Sequence, residues 1–62
     1  MESKCTKFEY SSGSVIYKGE HWKTNPSEDD PFFIITKFTY SGTSVVMIQI
    51  SEGSWTNRSS LF

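Results

Sequence analysis

Alanine, the strongest helix former, is missing from this 62-residue chain. Cysteine occurs once, at Cys5, which excludes an internal disulfide framework. One cysteine and one histidine also fall short of the four ligands that a Cys/His zinc site needs. No apolar run approaches the roughly 20 residues of a membrane-spanning helix, and "MESKCTKFEY" has no apolar segment of the kind that marks a secretory leader. The expected compartment is therefore the cytoplasm. Charge of one sign is lacking too: six Lys and Arg stand against seven Asp and Glu, for a formal charge of -1. Without a basic footprint, nucleic acid is a disfavoured partner.

What is present suits a pleated sheet. Phe, Tyr, Trp, Val and Ile dominate the apolar content, and no window sustains a helical period. Turn residues divide the chain into short segments, with "SSGS", "SG" and "EG" between them. Gly supplies the positive φ that tight hairpins require. The expected fold is all-β, one domain over residues 1–62. It is a small antiparallel meander of four to five strands, closed as an SH3-like barrel or left as a curled sheet. Closure would hide strand edges. A chain this short buries only about 60% of its unfolded surface, and with no disulfide or metal to support it, self-association into a homo-oligomer is expected.

Taking Ser41-Gly42 as a two-residue loop sets Phe38 against Val45, Ile35 against Ile48 and Phe33 against Ile50. Alternation then places Phe33, Ile35, Val46, Ile48 and Ile50 on one core face, with Trp55 continuing it beyond a turn at Glu52-Gly53. The other face carries Ile34, Thr36, Phe38, Tyr40, Val45, Met47 and Gln49. In the first hairpin Phe8, Tyr10, Val15 and Tyr17 share a side, opposite Lys7 and Glu9. Phe38, Tyr40, Val45 and Met47 form either an exposed apolar patch, the mark of an interaction site, or a second small core.

The densest stretch is "GEHWKTNPSEDDPFF". It contains the only histidine, both prolines and three consecutive acids. His21 alternates with Glu20 and Trp22, so no Glu-His dyad assembles locally, and no nucleophile motif accompanies it. It reads as a surface or packing histidine. Glu28, Asp29 and Asp30 lack the alternating spacing of a calcium loop and read as a solvated acidic connector, with Ser27 capping a turn and Pro31 opening the next strand. Trp22 and Trp55 read as core residues, and Cys5 as a plain free thiol. No catalytic residue, cofactor or metal is expected.

Gly19, Trp22, Asp30, Pro31, Phe32, Val45, Gly53, Ser54 and Phe62 follow a spacing that resembles many small phage and bacterial proteins of unknown function: G-x-x-W, a polar loop ending near D-P-F, a strand pair and a Gly-Ser turn. The resemblance spans roughly residues 15–62; the strand before Gly19 departs from it. It implies a small SH3-like β-barrel, often of phage origin, and no activity. The functional expectation is a non-catalytic protein-binding module, most concretely a phage-encoded inhibitor of a host protein, such as a defence protein, acting in the host cytoplasm. Its contacts are Phe38, Tyr40, Val45 and Met47, together with the acidic Glu28, Asp29 and Asp30. The alternative is a nucleic-acid or nucleotide barrel in which Trp22, Tyr17 or Phe38 stacks on bases.

Overall fold

A computed structural model describes residues 4–62. Two tight hairpins build it. Ser12 and Gly13 both take positive φ (52° and 83°), as a type I′ turn requires, and join β1 (Cys5–Ser11) to β2 (Ser14–His21). Gly42, at φ 63°, opens the second turn between β3 (Phe33–Ser41) and β4 (Ser44–Gly53). The four strands form one antiparallel sheet in the order β1-β2-β3-β4. The sheet stays open, a curled meander rather than a closed barrel, so among the described residues β1 and β4 are free edges.

The second hairpin differs from the sequence expectation in a way that decides both faces. Its loop is Gly42-Thr43, with Ser41 paired to Ser44. Phe38 therefore faces Ile48, Ile35 faces Ser51 and Phe33 faces Gly53. Relative to the expected pairing, Ile35 has moved three places along β4, and an odd slip turns the whole strand over. Gly at the first central position is the mark of a type II′ turn. A bulge between Thr39 and Tyr40 on one side and Met47 and Val45 on the other makes Val46 the extra residue.

The first hairpin has its own bulge, with Ile16 extra between the pairs Glu9–Tyr17 and Tyr10–Val15. Tyr17 consequently lies on the side of Lys7 and Glu9, not with Phe8 as alternation alone predicts. Beyond that bulge β2 leaves β3. Their ladder runs only from Tyr17–Lys37 to Glu20–Ile34.

One face of the sheet is covered. There Phe33 and Ile35 are fully buried beneath Trp55, with Tyr17, Leu61 and Phe62 packed around them. The expected fifth strand after Gly53 is instead a turn leading into a short 3-10 helix, Arg58–Leu61. Trp55 rests on Gly19, where a Cβ would sit 2.6 Å from the indole. Leu61 rests on Gly53 in the same manner, at 2.8 Å. Each glycine is thus a gap into which the C-terminal segment packs. Arg58 pins that segment: its Nε donates to Glu9 Oε1 at 2.7 Å, its Nη1 donates to the Trp55 carbonyl at 2.8 Å, and its guanidinium lies 4.5 Å from the Trp55 ring centre.

Candidate functional site: an uncovered apolar face

Among the described residues nothing covers the other face. Register places Phe8, Lys18, Thr36 and Ile50 across it in one row, with Ile34, Phe38 and Ile48 alongside. Val46 joins them by alternation with Ile48. Several of these side chains are well exposed: Phe8 49%, Val46 61%, Ile48 57% and Ile50 68%. Tyr10 extends the patch beside Phe8, ring centres 6.2 Å apart. Lys18 and Glu20, 3.1 Å apart, form a salt bridge on this face between neighbouring rows. Soluble domains rarely leave several large apolar side chains together in water unless something binds them.

The residues expected to form the patch are divided by the real register. Phe38 and Tyr40 are half-buried on the uncovered face, and Val45 faces Tyr40. Met47 pairs with Thr39 and so points to the opposite side. Ile48 and Ile50, expected in the core, replace it. The sequence carried a signal for this, since Ser-Gly-Thr-Ser puts Gly first only if the loop is Gly42-Thr43. Between the hairpin tips a cleft of about 650 Å³ opens where β2 and β3 part, lined in part by Ile16, Phe38 and Tyr40. The Tyr40 hydroxyl spans it, donating to the Val15 carbonyl at 2.7 Å.

The acidic connector is less solvated than its composition implies. Asp30 turns inward. Its Oδ1 accepts the Phe32 N–H at 3.0 Å and lies 3.3 Å from His21 Nε2, while Oδ2 lies 3.7 Å from Lys23 Nζ. Partial burial pushes the Asp30 carboxyl upward, but the Phe32 N–H, His21 and Lys23 outweigh it and hold the group below its usual 3.8. Glu28 pairs with Lys7 at 3.2 Å, tying the loop to β1. Asp29 is exposed, and its N–H donates to Ser27 Oγ at 3.3 Å, the turn cap expected of Ser27. Of the three acids, only Asp29 offers an unengaged carboxylate.

His21 is fully buried, with its ring edge-on to Phe33 at 4.8 Å between centres. Its Nδ1 accepts the Lys23 N–H at 3.0 Å. A nitrogen that accepts carries no proton, so the ring proton sits on Nε2 and faces Asp30. At 3.3 Å that contact does not meet hydrogen-bond geometry. Neither nitrogen presents a free lone pair to a substrate. Trp55 is the core tryptophan, whereas Trp22, expected inside as well, is 48% exposed with Lys23 Nζ 5.0 Å from its ring centre. Its place just past the end of β2 takes it off the covered face.

The three aromatics proposed to stack on bases do not share a platform. Tyr17 lies on the covered face against Phe62, Phe38 on the uncovered face, and Trp22 in the connector. Among the described residues no group of three His, Cys, Asp or Glu is placed to hold a metal ion, and no helix is long and apolar enough to cross a membrane. No family model, curated protein or solved structure matches this chain.

Proposed function

We propose that this chain is a protein-binding module that docks through the uncovered face of its sheet. The observation that carries the reading is the set of exposed apolar side chains on this face, Phe8 and Tyr10 on β1 and Val46, Ile48 and Ile50 on β4, with half-buried Ile34 and Phe38 of β3 between them. Lys18 and Glu20 sit within the face on β2 and Glu52 at its β4 edge, so the surface mixes apolar and polar contacts, as protein interfaces taken whole do. The fitting partner has a complementary apolar patch with polar surroundings. Occluding such a surface requires no chemistry, and the most specific form of the reading, from the phage-protein likeness, is an inhibitor that covers a host protein.

The test is capture of a single partner from host lysate, followed by titration with the purified protein. Phe8→Glu, far from the β4 edge, is expected to weaken binding at least tenfold while leaving the circular dichroism spectrum unchanged. Asp29→Lys is expected to change affinity less than threefold. Unchanged affinity in Phe8→Glu would remove the uncovered face from the interface. Tight, steeply salt-dependent binding to single-stranded nucleic acid would favour the stacking reading instead.

A further inference from the structure

We propose that a second copy of this chain pairs antiparallel with the free edge of β4, two-fold symmetric about Gln49, merging two four-stranded sheets into one of eight strands. The two free edges of the sheet are not alike. β1 is seven residues long and bears Lys7 and Glu9, both held in ion pairs. β4 is ten residues long, contains no proline or lysine, and has Glu52 as its sole charge. Val45, Val46, Met47, Ile48 and Ile50 are each 46–68% exposed along it. Charged residues, prolines, bulges and short length are the devices by which monomeric proteins blunt an edge, and β4 has only a bulge near one end and Glu52 near the other.

Symmetry fixes the rest. When one edge pairs antiparallel with its own copy, the two-fold axis stands perpendicular to the sheet, so each face meets the like face. Residues directly opposite must therefore belong to the same face. An axis at Gln49 satisfies this, places Ile48 against Ile50 of the second copy twice, and sets the two glutamines side by side on the covered side. It also leaves the bulge at Val46 outside the central ladder, where that residue lies opposite Glu52 of the second copy and no like charges meet. The contact closes on itself, because both outer edges are then β1.

The contact suits a weak, reversible dimer. The exposed apolar residues of β4 present at most roughly 500 Å² per copy, short of the about 800 Å² per partner of a standard interface. Edge pairing covers only part of it, because side chains stand out of the sheet plane. A backbone ladder adds to it, so dissociation on the order of micromolar is expected. The need is visible too, since among the described residues only Phe33, Ile35 and Trp55 are buried apolar side chains. This inference is independent of what docks on the uncovered face, and the dimer would join two such faces side by side.

Sedimentation velocity of the full chain from about 0.1 µM to about 100 µM, roughly bracketing that affinity, should show a monomer–dimer equilibrium. The exposed-site variant Ile48→Lys/Ile50→Lys should raise the dissociation constant at least tenfold with unchanged circular dichroism. With Cys5→Ser as background, Gln49→Cys should give a covalent dimer with a short bis-maleimide, and Thr36→Cys should not. In the paired sheet the Thr36 positions are about three strand spacings, roughly 14 Å, apart, whereas stacking of two uncovered faces would bring them together and separate the Gln49 positions. A monomer at every concentration, or cross-linking through Thr36 and not Gln49, overturns the proposal. If the lysine variant fails to fold, the cross-linking pattern alone decides.

Discussion

Gly19 and Asp30 show how single residues set what this fold tolerates. At Gly19 the indole of Trp55 occupies the space a side chain would need, and Trp55 is itself held by Phe33 and Arg58. Gly19→Ala therefore forces a rigid ring off its seat and is expected to cost about 1–3 kcal/mol, read from the urea midpoint. Asp30 acts through charge. Its carboxyl is held below 3.8 in the folded chain, so the folded state favours the ionised form. The stabilisation is fully present above that value and is lost as pH falls through the lower, folded one. Urea unfolding at pH 6 and pH 2.5 should show the wild type losing more stability on acidification than Asp30→Asn. An equal loss in both would mean that other carboxylates govern the acid limb.

At the scale of elements, the C-terminal segment works as a strap. It leaves β4 at Gly53, lays Trp55 over Gly19 and Leu61 over Gly53, and is tied to β1 through Arg58 and Glu9. Arg58 makes both the ion pair and the stack on Trp55, whereas Glu9 makes only the pair with it. Arg58→Ala should therefore destabilise by about 1–2 kcal/mol and Glu9→Gln by no more than about 0.5 kcal/mol, since part-exposed ion pairs contribute little alone. Equal losses in thermal or urea unfolding would show that the stack carries nothing. The hairpins are the other elements of consequence. The bulge at Ile16 ends the β2–β3 ladder early, and the one at Val46 lies at the same end of the sheet. Together they explain why the tips separate into a cleft instead of curling into a barrel.

The whole molecule is a sheet with one face covered and one bare. A chain with few buried apolar residues and many exposed ones gains from any partner that covers the latter, its own copy included. Because a dimer binds only the folded state, the thermal midpoint should rise with protein concentration. A rise of a few degrees per decade in the wild type and none in Ile48→Lys/Ile50→Lys is the expected calorimetric result. A midpoint independent of concentration in both would leave folding uncoupled from association.

The all-β class was legible from local chemistry, because missing alanine, abundant β-branched and aromatic residues and glycine-bearing turns all act over a few residues. So were the first turn at Ser12-Gly13, the Ser27 cap, and the entry of Phe33 into the core. The patch of Phe38, Tyr40, Val45 and Met47 was only partly legible. Two bulges and one loop position determined which side chains share a face, and a shift of a single residue is enough to invert a strand. Met47 consequently left the patch, Ile48 and Ile50 entered it, and Tyr17 moved to the core. The acids of the connector were visible as charges, but their partners Lys7, His21 and Lys23 became neighbours only when β1, β2 and the loop were brought together. Composition determined that this chain makes strands; register, a property of pairs of strands, decided which of them face water.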